Sequence, residues 1–113
     1  MIYLASPYSA KKPDGTDDID LMEQRFDAVC RYAGKFMNEG HVVYSPIAHC
    51  HPIAVRVGLP RDWAFWEKFD REMLRCATRF IVLKLDGWEQ SKGVRAESEI
   101  AKSMGLSVGY VEP

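Results

Sequence analysis

Two carboxylates in this sequence stand where they could do acid–base or nucleophilic chemistry, and Glu97 is the first of them. It follows the stretch SKGVRA (91–96), in which a polar turn leads into a predicted helix. Free N–H groups and positive potential gather at a helix N-terminus. We therefore expect a carboxylate within the first turn or so to stay ionised, which suits a nucleophile. A Glu that merely complements the helix dipole would fit the same pattern, so both interpretations stay open.

Asp70 is the second carboxylate. It lies in the segment WEKFDREML (66–74), on or near the apolar side of a predicted helix. A carboxyl group at an apolar border tends to have a raised pKa and can carry a proton. A solvated Asp paired with Arg71 or Arg75 is equally compatible with the pattern.

Hydroxyl groups cluster around the first predicted strand. Tyr3 begins that strand, where a core position is the default interpretation, and Ser6 and Tyr8 stand at its end. The triplet HCH (49–51) looks like a set of metal ligands, but adjacent residues of an extended chain point to opposite sides. No second HxH or CxxC completes a site, so we predict no metal. His49 or His51 as a hydrogen-bonding group in a pocket is the better interpretation.

Three tryptophans could stack on a base, although core packing fits the first two at least as well: Trp63, Trp66 and Trp88. Neither GxGxxG nor GxxxxGK[ST] follows the first strand, so the dinucleotide-binding and P-loop classes are excluded and no cofactor is predicted.

The elements that must position these groups alternate along the chain. The predicted strands are 2–6, 41–45, 79–85 and 106–111, and the predicted helices are 20–38, 61–77 and 94–104. Because it contains three prolines, we predict that segment 46–60 is a loop that could hold a short helix. This order predicts a single domain over residues 1–113, an α/β fold with a three-layer open parallel sheet of about four to five strands, Rossmann- or flavodoxin-like. Ligands bind such sheets at the carboxyl ends of the strands, which here points to loops 6–16, 46–60 and 86–93.

Composition sets limits on partners and compartment. A formal net charge of −1 gives no sign of a nucleic-acid polymer or an anionic membrane as partner. No stretch approaches the ~18 apolar residues of a spanning helix, and the apolar run at the N-terminus is too short for a signal peptide. The three cysteines are scattered without a CxxC pair. We expect a cytoplasmic protein.

Three motifs, taken in order, resemble those of the nucleoside 2′-deoxyribosyltransferase superfamily. They are IYLASPY (2–8), Asp70 in its segment WEKFDREML, and SKGVRAESEIA (91–101) before the last predicted strand. The chain more specifically resembles a group of short members that share HVVYSPIAHCHPI (41–53) and GWEQSKGVRAE (87–97). The resemblance spans nearly the whole chain.

The resemblance implies a role for each matching residue. In that superfamily a Glu four residues after a Gly is the nucleophile, which implies Glu97, counted from Gly93. A Tyr in the first strand positions the nucleophile, and an Asp in the preceding helix donates a proton to the leaving base; Tyr3 and Asp70 match them. Ser91 stands where transferases carry Asp and where hydrolases of 2′-deoxynucleoside 5′-monophosphates carry Ser. Ser6 matches a phosphate-side hydroxyl of those hydrolases.

Two positions depart from the superfamily pattern, since Arg95 and Glu99 stand where relatives carry Gly. An Arg facing the substrate could bind phosphate or obstruct a sugar. With Lys11 as a further phosphate candidate, the implied binding residues are Ser6, Tyr8, Ser91, Gly93, Arg95, His49 and Trp88.

The resemblance implies a cofactor-free double displacement at the N-glycosidic bond of a nucleoside or nucleoside 5′-monophosphate, with hydrolysis favoured over base transfer. It also implies a homo-oligomer, a dimer or tetramer, in which a neighbouring subunit completes the pocket. The alternative is a non-catalytic domain of the same fold that binds and senses a nucleotide or nucleotide-sugar, and the two departures favour it.

Overall fold

The computed structural model describes residues 1–113 and has the predicted α/β architecture, a parallel four-stranded sheet with helices on both faces. The strand order is β2-β1-β3-β4. A short 3₁₀ turn, Trp88–Gln90, precedes the last helix. Along the chain the elements are β1 (Ile2–Ala5), α1 (Ile19–Asn38), β2 (Val43–Tyr44), α2 (Pro46–Val57), α3 (Trp63–Arg75), β3 (Arg79–Leu83), α4 (Lys92–Ser103) and β4 (Ser107–Val111).

The two central strands are buried on both faces. In β1 and β3, Tyr3 pairs with Phe80 and Leu4 pairs with Ile81. Successive side chains of a strand point to opposite faces, so each strand feeds two separate cores. The α1 face buries Ile2, Leu4, Val29, Ala33, Ile81 and Leu83. The α3–α4 face buries Tyr3, Ala5, Leu74, Ala77, Phe80, Val82, Val94, Ile100 and Ala101.

Each long helix begins at a side-chain cap. Asp18 accepts from the Leu21 amide at the start of α1, and Asp62 accepts from the Phe65 amide at the start of α3. Ser91 caps α4 in the same way. These side chains satisfy amides that the first turn leaves without partners, so the helix starts are fixed by sequence.

The segment 46–60, predicted as a loop that could hold a short helix, is mostly helical, because residues 46–57 form the helix α2 of about three turns. Ser45 caps it by accepting from the Ala48 amide at 3.1 Å, and Pro46 occupies the first turn, where a missing N–H costs nothing. Pro52 lies inside the helix and removes one hydrogen bond, which the helix tolerates. Gly58 ends it in the left-handed conformation at φ 70°.

The central position of β1 determines where a ligand could bind. Its neighbours β2 and β3 lead to α2 and α4 on either side, so the strand order reverses at β1. The segments after β1, β2 and β3 therefore meet at one edge of the sheet. No helix of the chain is both long and apolar enough to cross a membrane.

Candidate active site

A cavity of about 650 Å³ opens at the carboxyl edge of the sheet. Its walls come from the segment after β1, from α2, and from the starts of α3 and α4. The volume is within the range of about 300–1,000 Å³ that is typical of small-molecule sites. Among the residues that line it are Ser6, Tyr8, His51, Trp63, Asp70 and Glu97.

The inner end of the cavity holds a hydrogen bond between β1 and α4. The phenol of Tyr3, which is fully buried, donates to Oε2 of Glu97. The Tyr3 ring is held by a stacked contact with Phe80, at 5.6 Å between centroids. Because Ser91 is the helix cap, Glu97 lies in the second turn of α4. The sequence pattern predicted a position within the first turn or so.

Asp70 projects from α3 to the same point. Its side chain is buried at 5% exposure, and its Oδ1 atom has no hydrogen-bond partner. The Tyr3 hydroxyl lies close enough to lower the pKa of Asp70, as it does that of Glu97. One phenol thus interacts with both carboxyl groups, and the three residues predicted as catalytic are brought together.

Burial dominates the ionisation of this pair. Desolvation, together with the nearby charge of Asp70 and against the opposing hydrogen bond from Tyr3, raises the pKa of Glu97 to about 8. Desolvation also raises the pKa of Asp70 to about 7, in agreement with the expectation that Asp70 can carry a proton. The expectation that the dipole of α4 holds Glu97 ionised is wrong for the free protein, because the group is desolvated and lies beyond the first turn. The pair exchanges protons close to neutral pH, and its two titrations are coupled.

The outer part of the cavity is cationic. Lys11, Arg61 and Lys92 line it together with Ser6 and Ser91. Lys11 bonds Asp17 at 2.5 Å, and Arg61 lies 3.9 Å from the same carboxylate. Asp62 also lines the cavity, so two carboxylates face three cations and leave one positive charge in excess.

The hydroxyl groups at this end differ in their availability. The Ser6 hydroxyl is buried without a partner. Ser91 Oγ accepts from the Val94 amide at 3.2 Å, which leaves its proton free to donate. Gly93 follows in the first turn of α4, where helix amides and positive potential favour an anion.

Tyr8 and His51 form the opposite wall. The Tyr8 hydroxyl bonds Nδ1 of His51, and Nε2 of His51 lies 2.7 Å from Oε1 of Glu23 in α1. Of the two histidines left open by the sequence, His51 lines the cavity, and His49 does not. His49 is exposed and stacks on Phe69 at 5.8 Å, because residues two positions apart in a helix point about 200° apart.

Two further predicted binding residues lie outside the cavity. Arg95 is exposed, since it precedes Glu97 by two positions and so faces about 200° away around the helix. Glu99, two positions after Glu97, is exposed for the same reason. Trp88 packs against Tyr110 at 5.6 Å and carries Lys84 over its ring. The structure therefore does not bring Arg95 and Trp88 together with the predicted binding residues that line the cavity, and neither departure from the superfamily pattern obstructs it.

Sequence reasoning missed several residues of the cavity. Arg61 and Cys50 line it, and Glu23 supports it from α1. The available signal was helical spacing in segment 46–57, where Cys50, His51 and Ala54 share a buried face. No three His, Cys, Asp or Glu side chains come together as metal ligands.

The fold and the site define the class as an α/β protein whose ligand-sized cavity, at a switch point of strand order, contains two buried carboxyl groups. The chain belongs to the family described as Domain of unknown function (DUF1937), whose family model matches residues 1–112. No curated protein matches the chain.

Proposed function

We propose that this protein is an enzyme that hydrolyses the N-glycosidic bond of a nucleoside 5′-monophosphate. The observation that carries the proposal is the buried carboxyl pair, Glu97 and Asp70, beside the phenol of Tyr3, which donates its hydrogen bond to Glu97 at the inner end of the cavity. A charge-neutral core would avoid the cost of burying two carboxyl groups side by side. Groups with perturbed pKa values in a cleft are candidates for catalysis.

The two carboxyl groups divide the chemistry between them. Loss of one proton near neutral pH gives a singly protonated pair whose proton either carboxyl group can hold, because the two titrations are coupled. The reaction uses the form in which Glu97 is the anion, stabilised by the Tyr3 hydroxyl, and Asp70 keeps the proton. The Glu97 carboxylate attacks C1′, and the electron pair of the C1′–N bond passes to the base nitrogen, which takes the proton of Asp70. This step yields free base and a glycosyl ester of Glu97.

Water completes the reaction. It attacks C1′ and gives up a proton to the Asp70 carboxylate, while the bond between C1′ and the Glu97 oxygen breaks. The products are the free base and a sugar 5-phosphate, and both carboxyl groups return to their starting state. Transfer to a second base would require that base to replace the water.

The cationic outer end of the cavity is the basis for proposing a phosphorylated substrate. Lys11, Arg61 and Lys92 supply charge, and the hydroxyl groups of Ser6 and Ser91 supply neutral donors. The first turn of α4 adds backbone amides. Trp63 lines the same cavity and offers a surface for a base.

The second candidate function is that of a binding module without turnover. The pKa of Glu97, which burial raises to about 8, favours it, because a protonated carboxyl group donates a hydrogen bond and is a poor nucleophile. This candidate predicts tight nucleotide binding, no release of base, and retention of binding in Glu97→Gln.

We also propose a homo-oligomer, a dimer or tetramer, working in the cytoplasm. Large apolar side chains are exposed near the β2 edge and on α2 and α3, among them Val42, Ile53 and Phe65. A second copy could cover them, as exposed apolar patches generally mark contacts. The three cysteines are unpaired, as expected in a reducing compartment. Light scattering of the purified protein gives the oligomeric state directly.

Chromatography of nucleosides and 5′-monophosphates, ribo and deoxy, after incubation with the protein tests the function. We expect wild-type protein to release free base from at least one monophosphate and Glu97→Gln to be slower by at least about a thousandfold. Glu99→Gln is the matched control, because it neutralises an exposed carboxylate of the same helix and should act like wild type. Release of base at the wild-type rate by Glu97→Gln would contradict the nucleophile, and no release from any compound would favour the binding module.

A further inference from the structure

The proposed reaction leaves one cluster of hydrogen-bonding side chains unused. His51 of α2 is buried at 6% exposure and bonds two partners, the Tyr8 hydroxyl through Nδ1 and the Glu23 carboxylate through Nε2. Tyr8 and His51 line the cavity, while the Glu23 side chain is 53% exposed. The cluster therefore connects the cavity to the surface of α1.

The partners determine which ring nitrogen of a neutral His51 carries the proton. A carboxylate only accepts hydrogen bonds, so the contact of 2.7 Å with Glu23 requires the proton on Nε2. Nδ1 is then an acceptor and must receive the proton of the Tyr8 hydroxyl. Burial raises the pKa of Tyr8, against a lowering effect of Arg61 and with smaller raising effects of Glu23 and Asp17, which keeps this proton on the phenol. The Tyr8 oxygen has only lone pairs left to offer.

The surroundings hold this arrangement in place. Phe26 packs on the His51 ring at 4.4 Å between centroids, and the Tyr8 ring meets His51 edge-on at 5.3 Å. Arg25 donates to the backbone carbonyls of Tyr8 at 3.3 Å and Ser9 at 3.0 Å. Both the imidazole and the backbone of the loop that carries Tyr8 are thus restrained, which keeps the phenol within reach of His51.

We propose that Glu23 and His51 orient Tyr8 so that its oxygen is a hydrogen-bond acceptor in the cavity, which makes Tyr8 a specificity-determining residue for ligands with an N–H or O–H donor. A sugar hydroxyl or an amino group of a base is such a donor, whereas a phosphate oxygen is not. A ligand that lacks the donor leaves the Tyr8 oxygen desolvated and unpaired, which lowers its affinity. The choice of ligand class rests on the proposed function, and the orientation of Tyr8 does not.

The orientation is tested first in the ligand-free protein. Nitrogen-15 NMR of labelled histidine distinguishes the two neutral tautomers from the cation, and His51→Gln assigns the His51 signals among three histidines. We expect neutral His51 as the Nε2–H tautomer, and a mixture of tautomers in Glu23→Ala. Asp27→Ala is the matched control, since it removes an exposed carboxylate one turn further along α1. The Nδ1–H tautomer or a cation in wild type at neutral pH overturns the proposal.

The selection by Tyr8 of ligands that carry a hydrogen-bond donor is tested by calorimetry. The protein for this test carries Glu97→Gln, so that no turnover is expected. The probes are 2′-deoxyadenosine 5′-monophosphate and its analogues that lack either the base amino group or the 3′-hydroxyl. For at least one pair we expect Tyr8→Phe to weaken the donor-bearing probe by about tenfold and its analogue by less than about twofold. Equal effects of Tyr8→Phe on both members of every pair overturn the selection.

The two proposals fail in distinguishable ways. Selective binding with the Nε2–H tautomer, but without release of base by the otherwise wild-type protein, contradicts the proposed function and leaves the role of Tyr8 standing. Release of base with unaltered discrimination in Tyr8→Phe does the reverse. Absence of binding by every probe overturns the selection together with the substrate class.

Discussion

Leu4 and Tyr3 are neighbours in β1, and both are fully buried, but they face opposite sides of the sheet. Leu4 packs against α1 in a core made only of apolar side chains. Tyr3 packs against α3 and α4, and its hydroxyl reaches two buried carboxyl groups. The two faces of β1 thus differ in the free energy required to bury their neighbouring groups and in the chemistry that these groups can do.

The two faces of the sheet differ in how their contributions to stability depend on pH. The α1 face gains free energy from burial at every pH, because none of its core side chains titrates. The α3–α4 face has a similar apolar body, but the carboxyl groups of Glu97 and Asp70 oppose folding once they ionise. Groups that destabilise the fold but are needed for activity are common at functional cavities.

The largest effect is expected on the apolar face. Leu4→Ala should lower the free energy of unfolding by about 2–5 kcal/mol, because it removes a fully buried side chain and leaves a cavity. Urea denaturation at pH values on both sides of neutrality measures it. The loss should be the same at each pH, and a loss that depends strongly on pH would break the distinction between the faces.

The next effect is on the chemistry of the opposite face. Asp70→Asn should slow release of base by about a hundredfold, because the leaving base loses its proton donor. Asp70 is protonated and neutral in the reactive form while Glu97 ionises, so the acidic limb of the pH–rate profile, which reports ionisation of Glu97, should stay in place. The basic limb, which reports loss of the Asp70 proton, should disappear. A profile that keeps both limbs unchanged would exclude Asp70 as the acid.

The smallest expected effect measures the free energy that burial of the Glu97 carboxylate costs the folded protein. The pKa of Glu97 is raised from an unfolded value of 4.5 to about 8, so the folded state binds this proton more tightly. Its contribution to stability is complete below the unfolded pKa and is lost as pH rises through about 8. Glu97→Gln should therefore match wild type near pH 4 and exceed it by at least about 1.4 kcal/mol near pH 8, the equivalent of one pKa unit.

Thermal unfolding of wild type and Glu97→Gln between about pH 4 and pH 8 measures this difference. Glu99→Gln is the control, because the Glu99 carboxylate is exposed. A Glu97→Gln protein that is no more stable than wild type at high pH would show that burial of this carboxyl group costs nothing.

The parts predicted from sequence are those with a regular pattern. Continuous apolar runs marked β1 and β3, and the parallel order then brought Tyr3, Asp70 and Glu97 to one place. From the pattern alone, structural interpretations stayed open for all three residues, and it was the resemblance that implied a joint role.

The parts that sequence did not predict depend on helix phase and burial. The prolines of segment 46–57 concealed α2, although Pro46 is at a position that a helix accepts. Because α2 was not predicted, the sequence did not show that His51 faces the cavity and that His49 faces solvent. Arg95 was placed by its distance from Glu97 in sequence, whereas a helix turns residues two apart to nearly opposite sides. The raised pKa of Glu97 depends on desolvation, which only the packed structure contains.

The most direct measurement of the central claim is the configuration at C1′ of the product. With the monophosphate that releases base, the reaction is run in water containing methanol, and proton NMR identifies the methyl glycoside. Two displacements, the first by Glu97, predict retention of the β configuration of the substrate, and loss of product in Glu97→Gln. Inversion to the α glycoside, or undiminished formation of product by Glu97→Gln, would contradict a glycosyl ester on Glu97.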